Sequence, residues 1–92
     1  MGTIDKSIIK MTNEVFEQSF EIEKTRIKPE MNIFLDLGLD SLDTVDLVVA
    51  LQKKFGVSIR DDQRVRNIRT VGDIYAFIDA LKKEGVVNTS PK

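Results

Sequence analysis

The sequence of 92 residues contains no cysteine and no histidine, and these two absences exclude several kinds of chemistry. Without them the chain cannot form a disulfide, a zinc site of the Cys/His type, a thiol nucleophile or a Ser-His-Asp triad. No imidazole is present to act as a general base near neutral pH. Any reaction in which this protein takes part therefore uses a reactive group that the chain borrows.

The sequence also lacks an apolar run of the roughly 18–20 residues that a membrane span requires. Its beginning does not have the basic, apolar and small-residue regions of a signal peptide. A composition of 41% hydrophobic and 32% charged residues is typical of one globular domain. These features predict a cytoplasmic protein without membrane insertion.

The net charge of −1 hides two halves of opposite sign. Residues 1–46 carry a net charge of −5 and residues 47–92 a net charge of +4. Such a division affects partners and surface fields rather than the fold. The basic half does not predict nucleic-acid binding, because Asp61 and Asp62 interrupt its arginines.

Apolar spacing predicts an all-α fold of three main helices and one short helix, a small four-helix bundle. The first helix has Thr3 as its expected N-cap and loses its apolar pattern after Phe20. The second begins at Asp40, with Asp43 three positions on, and ends at Gly56 in a Schellman pattern. No segment shows the alternation of a β-strand.

The short helix is expected over residues 61–67, capped by Asp61 or Asp62. Residues 70–73 have a capping-box pattern that opens the last helix, and Gly85-Val86 should end it. The domain is therefore expected to span residues 1–85, followed by a polar tail over residues 86–92.

The connection over residues 21–38 is long for a compact domain, and such loops are often functional. Pro29 prevents a helix from running through it. Its apolar side chains predict that the loop is pinned to the core. These side chains are Ile27, Ile33, Phe34, Leu35 and Leu37.

The segment over residues 36–43 is the one with chemical character, because it places Ser41 at a helix start between Asp40 and Asp43. Free amides at a helix start can hold a phosphate joined to the hydroxyl. The same residues are equally those of an ordinary helix cap, and both interpretations stand at this level. The segment does not match an EF-hand loop, a nucleophile elbow or a P-loop.

Residues 34–55, FLDLGLDSLDTVDLVVALQKKF, closely resemble the attachment-site region of acyl carrier proteins. The D-S-L signature stands here as Asp40-Ser41-Leu42, after the Leu37-Gly38 turn. Val57-Ser58-Ile59 and the opening of the last helix at residues 70–73 match as well. The resemblance therefore covers most of the chain.

The resemblance implies an acyl carrier that is a substrate of other proteins and not an enzyme. A phosphopantetheinyl transferase would move 4′-phosphopantetheine from coenzyme A onto Ser41, with Asp40 and Leu42 flanking the attachment site. The arm would carry acyl groups as thioesters between acyl-transferring and condensing enzymes of fatty-acid, lipid or polyketide-type synthesis. The protein itself is expected to be a monomer without a metal of its own.

The resemblance also implies two sets of contact residues. Acidic side chains and two apolar ones around the second helix are expected to dock partner enzymes: Asp36, Asp40, Leu42, Asp43, Val45 and Asp46. Apolar side chains between the helices are expected to line the acyl chain, although each is equally well explained as core: Phe34, Val45, Val49, Leu51, Ile68, Ile74 and Phe77.

The chain departs from fatty-acid carriers in its basic second half. Gln52-Lys53-Lys54 stands where a run of Glu is usual, and four arginines stand where acids are usual: Arg60, Arg64, Arg66 and Arg69. This predicts either a solvated basic face or a specialised carrier with different partners. A peptidyl or D-alanyl carrier, or a helical interaction module that has lost the arm, remain alternatives.

Overall fold

The computed structural model of the protein describes residues 4–59 and 62–85. Within those residues the fold is all-helical, with one isolated β-bridge, between Asn32 and Thr70. No helix in the described part of the chain is long and apolar enough to cross a membrane. The elements are the α-helices α1 (Lys6–Phe20), α2 (Ser41–Phe55) and α3 (Val71–Lys83) and the 3-10 helices η1 (Lys24–Arg26) and η2 (Gln63–Asn67).

The all-α class and the three main helices are confirmed, but the prediction of a four-helix bundle is wrong. The short helix expected over residues 61–67 is the five-residue 3-10 helix η2. A 3-10 segment of this length has poorer hydrogen-bond geometry than an α-helix and cannot supply a fourth bundle helix. Its cap is Asp62, which accepts a hydrogen bond from the Arg64 amide, whereas Asp61 lies outside the described residues.

Helix α1 begins at a different cap from the one expected. The Asp5 carboxylate accepts a hydrogen bond of 2.8 Å from the Ser7 amide, and Thr3 lies outside the described residues. The helix ends at Phe20, as predicted. Glu21 then adopts a left-handed conformation at φ 57°, and the Ile22 amide donates to the Phe16 carbonyl.

Helices α2 and α3 both begin with capping boxes, at the predicted cap Asp40 of α2 and at the predicted capping box of α3. In α2 the Asp40 carboxylate accepts from the Asp43 amide, and the Asp43 carboxylate accepts from the Asp40 amide. The Thr70 and Asp73 side chains cap α3 in the same reciprocal way. Because each box satisfies two amides from residues three positions apart, local sequence fixes both helix starts.

The predicted ends of α2 and α3 are also found. Gly56 ends α2 at φ 66°, and the Val57 amide donates to the Gln52 carbonyl. Gly85 follows α3 at φ 82°, a left-handed conformation that glycine adopts without a steric penalty. Val86 and the tail over residues 86–92 lie outside the described residues.

Helix α1 packs against both α2 and α3, and η2 packs against α3. The apolar stripe of each helix faces the centre, as its 3.6-residue spacing requires. Among the described elements, α2 has close backbone contacts with α1 but none with η2 or α3. The most deeply buried large side chains are Ile8, Phe16, Ile33, Leu47, Leu51, Phe55, Ile59, Ile74 and Ile78.

The long loop after α1 is tied to the start of α3 by three backbone hydrogen bonds. The Gly72 amide donates to the Pro29 carbonyl at 2.8 Å, and the Val71 amide to the Met31 carbonyl at 3.0 Å. The Ile33 amide donates to the Arg69 carbonyl at 2.9 Å. These bonds hold the chain that leads into α2, so the start of α2 has a fixed position beside the start of α3.

The prediction that apolar residues pin this loop to the core is right for four of five positions. Ile27 and Ile33 are buried, and Phe34 and Leu37 pack partly against the core. Leu35 is instead 84% exposed. The amides of Phe34 and Leu35 both donate to the Asn32 side chain, and this turn points Leu35 away from the core.

Thr12 carries a buried hydroxyl that has no hydrogen-bond partner among the described residues. An unsatisfied buried polar group costs roughly 1–3 kcal/mol, so we expect Thr12→Val to raise the free energy of unfolding by about 1 kcal/mol. Urea unfolding followed by circular dichroism measures this. In the control, Thr44→Val removes a hydroxyl that donates to the Asp40 carbonyl and should not stabilise. A Thr12→Val protein less stable than the wild type would contradict the prediction.

Candidate functional site

Ser41 is the first residue of α2, and its side chain is exposed. Gly38 and Leu39, shortly before it in the chain, explain this presentation. Leu39 is buried, and its amide donates to the Ile33 carbonyl at 3.0 Å. Gly38, at φ 74°, makes the turn that leads into Leu39. The chain is therefore anchored two residues before Ser41, and the hydroxyl is held at the surface of the domain.

The backbone around Ser41 leaves two amides available. The Asp43 amide donates to the Asp40 side chain and the Thr44 amide to the Asp40 carbonyl. Among the described residues, no acceptor is found for the amides of Ser41 and Leu42. Free amides at a helix start favour an anion. The structure thus fits a phosphate ester on the Ser41 hydroxyl, in addition to the cap that Asp40 provides.

The four acidic residues predicted to dock partners surround this site. Asp36 accepts a hydrogen bond of 2.7 Å from the Asn32 amide, and Asp40 and Asp43 form the capping box of α2. Asp46 is exposed on α2. Three of the four carboxylates therefore also stabilise local structure. No group of acidic residues in the described part of the chain is arranged to hold a metal ion.

Three large apolar side chains are exposed within the same stretch of sequence. Leu42 is 76% exposed and Val45 is 52% exposed, in line with the predicted docking role, and Leu35 is the third. Leu35 was not predicted to be a surface residue because it stands in the apolar run Ile33-Phe34-Leu35, which gives no signal of the turn. Clustered exposed apolar groups mark interaction surfaces.

Two cavities lie where α2 faces η2. The first, of about 250 Å³, is apolar and is lined by Thr44, Val45, Val48, Val49 and Val65. The second, of about 230 Å³, includes the attachment candidate itself and is lined by Phe34, Ser41, Thr44, Val65, Arg66, Ile68 and Arg69. Thr44 and Val65 line both cavities, so the two are neighbours along the boundary between α2 and η2.

The structure divides the seven predicted lining residues into two groups. Four of them line the cavities: Phe34, Val45, Val49 and Ile68. Val48 and Val65 also line a cavity, although neither was predicted to do so. The remaining three lie elsewhere among the described residues. Leu51 and Ile74 are almost fully buried in the core, and the Phe77 ring lies under the Arg64 guanidinium at 5.3 Å.

Arg64 links η2 to the end of α3. Its guanidinium forms salt bridges of 2.7 Å with both Asp62 and Glu84 while covering Phe77. Hydrogen bonds from Arg64 hold the pKa of both carboxyl groups below their ordinary values. Arg64 therefore fastens η2, which contributes Val65 to both cavities, to the end of α3.

Comparison with known proteins agrees with this geometry. A family described as the phosphopantetheine attachment site matches residues 13–78. Acyl carrier protein 2 of Ralstonia nicotianae is 34% identical over 77 residues, which cover 84% of this chain and 94% of that protein. The meromycolate extension acyl carrier protein of Mycolicibacterium smegmatis is 36% identical over 84 residues, or 91% of this chain and 84% of that protein.

The matched region contains α2, η2 and every residue that lines the two cavities. The relatives are matched over most of their own length, so the likeness concerns whole carrier domains. The chain belongs to the acyl carrier protein family, whose members bear covalently attached 4′-phosphopantetheine and act as carriers and not as catalysts.

Proposed function

We propose that Ser41 is the attachment residue and that a phosphopantetheinyl transferase modifies it from coenzyme A. The observation that carries this proposal is the exposed Ser41 hydroxyl at the start of α2, beside two amides without a described acceptor. The Ser41 Oγ–P bond forms as the bond from that phosphorus to adenosine 3′,5′-bisphosphate breaks. In this proposal the hydroxyl proton passes to a base of the transferase, since this chain has no histidine and the neighbouring Asp40 and Asp43 carboxylates are engaged in the capping box of α2.

The bound arm supplies the thiol that the cysteine-free chain lacks, and acyl groups are carried on that thiol as thioesters. We propose that the apolar cavity of about 250 Å³ at the boundary of α2 and η2 receives part of the acyl group. Its position beside Ser41 supports this role, since it shares Thr44 with the cavity that Ser41 lines. Leu51 and Ile74 belong to the permanent core and are not part of this proposal.

The test is the intact mass of the protein after incubation with coenzyme A, Mg²⁺ and a broad-specificity phosphopantetheinyl transferase. We expect the mass to rise by one phosphopantetheinyl group per chain. A protein that stays at its unmodified mass while a second carrier in the same tube is modified would refute the proposal. That outcome would instead favour an interaction module that has lost the arm.

We further propose that Asp46, Leu42 and Val45 contact the enzymes of fatty-acid, lipid or polyketide-type synthesis that the carrier serves. Asp46 is exposed and makes no hydrogen bond or salt bridge with a described residue. It lies one turn from Leu42, so both side chains share a face of α2. A basic patch on a partner would be attracted to this face over a range set by the salt concentration.

Charge reversal at Asp46 tests this docking face. We expect Asp46→Lys to lower kcat/KM for the transferase on the order of tenfold at low salt, because electrostatic steering mainly sets the association rate. Kinetics at low and high salt measure the effect, which should shrink as salt rises. Glu23→Lys is the control, because Glu23 is exposed and lies outside α2. Equal losses in both variants would contradict a specific role of this face.

A further inference from the structure

The second cavity places two arginine side chains on the same lining as Ser41. Arg66 belongs to η2, and Arg69 follows two residues after its end. Both lie across the cavity from the start of α2, and together with Phe34, Thr44, Val65 and Ile68 they line this open pocket of about 230 Å³. A covalently modifiable hydroxyl therefore shares one small space with two cationic groups.

Neither arginine forms a salt bridge with a described residue, although the Asp73 carboxylate, which accepts a hydrogen bond of 3.0 Å from the Arg69 amide, interacts electrostatically with Arg69. The salt bridges of the described residues include Arg64 but not Arg66 or Arg69. Arg69 donates from Nη1 to the carbonyls of Arg66, at 2.7 Å, and Ile68, at 2.9 Å. These two bonds fix the Arg69 guanidinium in place and leave its remaining N–H groups for another acceptor.

The α2 side of the second cavity carries negative charge. Asp40 and Asp43 stand on either side of Ser41 in sequence, and both are committed to the capping box of α2. A phosphodiester on Ser41 would be repelled by these carboxylates. Arg66 and Arg69, which form no salt bridge with a described residue, supply positive charge on the other side of the cavity, and a guanidinium pairs well with the two free oxygens of a phosphodiester.

We propose that Arg66 and Arg69 bind the phosphodiester of the arm and hold its first segment against η2. The proposal rests on the proposed function, in which the arm is attached to Ser41. The phosphodiester is the favoured anion because its bond to Ser41 Oγ keeps it at this cavity. A carboxylate in the cargo would lie beyond the far end of a flexible arm. Because Thr44 and Val65 also line the apolar cavity, an arm held here points toward it.

Phosphorus NMR of the holo-protein tests this contact directly. The resonance of the phosphodiester is compared at about 0.02 M and about 0.5 M NaCl in four proteins: the wild type, Arg66→Gln, Arg69→Lys and Arg66→Gln/Arg69→Gln. The reference is the same holo-protein unfolded in urea, where no contact with the arginines remains. We expect a wild-type resonance displaced from the reference at low salt, and loss of most of that displacement in the double variant.

Two matched variants distinguish a specific arginine contact from a general effect of charge, and circular dichroism distinguishes it from unfolding. Lys53→Gln removes the same charge from α2 about 18 Å along the helix from Ser41 and should leave the displacement unchanged. Arg69→Lys keeps the positive charge and should retain part of the displacement of the phosphorus resonance. Circular dichroism verifies that each variant is folded. Arg66 is exposed and its side chain has no described partner, so Arg66→Gln should fold normally.

The outcomes distinguish this proposal from the attachment on which it rests. A protein that never acquires a phosphorus resonance or the added mass refutes the attachment itself. A modified protein whose low-salt resonance matches the unfolded reference, or is unchanged in the double variant, refutes the arginine contact alone. The same refutation follows if the arginine Nε–H resonances are unmoved by attachment and shift only when the thiol carries a dicarboxylic acyl group.

Discussion

A Ser41→Ala variant is expected to gain no mass from coenzyme A and the transferase, whereas the wild type gains one phosphopantetheinyl group per chain. The reason is chemical, because the oxygen that would bond to phosphorus is absent. The chain holds no cysteine, and the geometry of no other described serine matches Ser41, at the first position of an α-helix with free amides beside it. Intact-mass spectrometry before and after incubation measures the loss.

The loss in Ser41→Ala should not come from unfolding. Ser41 is exposed, and the side-chain cap of α2 is supplied by Asp40, so the free energy of unfolding should change by no more than about 0.5 kcal/mol. Ser58→Ala is the matched control, since Ser58 is also exposed but lies in the segment after α2. Retained modification in Ser41→Ala, or lost modification in Ser58→Ala, would place the attachment elsewhere.

Leu47→Ala is expected to destabilise the protein by roughly 2–5 kcal/mol, because Leu47 is almost fully buried and its truncation leaves a cavity. A loss of this size is a large part of the roughly 5–15 kcal/mol that stabilises a typical domain. Urea unfolding followed by far-ultraviolet circular dichroism measures it. In a domain of this size no second core layer is available to absorb the defect.

Leu42→Ala provides the matched comparison on the same helix. Leu42 is 76% exposed, so the same substitution should change the free energy of unfolding by no more than about 0.5 kcal/mol. Its effect should appear instead in partner kinetics, as a higher KM for the transferase. If Leu42→Ala unfolded the protein as readily as Leu47→Ala, the assignment of these two faces of α2 would be wrong.

The boundaries of α2 and α3 were predictable because they depend on local sequence. The pairs Asp40/Asp43 and Thr70/Asp73 satisfy amides only three residues away, and Gly56 supplies its own left-handed turn. None of these features needs knowledge of distant contacts. The position of Ser41 at the first residue of α2 follows from the same local rules.

Two features that sequence patterns did not predict have different causes: one is a local side-chain turn, and the other is the packing of distant segments. Leu35 is turned outward by hydrogen bonds to the Asn32 side chain, and apolar patterning cannot detect such a turn. The distinction between core and cavity along α2 depends on where η2 lies. Leu51 and Val48 are both apolar residues of α2, yet only Val48 lines the cavity facing η2.

The basic second half of the chain has more than one structural role. Lys54 forms a salt bridge of 2.9 Å with Glu14 of α1, and Arg64 fastens η2 to α3. Arg66 and Arg69 instead remain available beside Ser41, and Arg60 lies outside the described residues. The opposite charges of the two halves of the chain thus meet at the attachment site.

Thiol titration of the intact protein tests the central claim most directly, because a chain without cysteine gives a background of zero. After incubation with coenzyme A and the transferase, and removal of free coenzyme A, the wild type should show one titratable thiol per folded chain. Ser41→Ala treated identically should show none. A wild-type protein without a thiol, or a Ser41→Ala protein with one, would contradict the account of Ser41 as the residue that holds the arm.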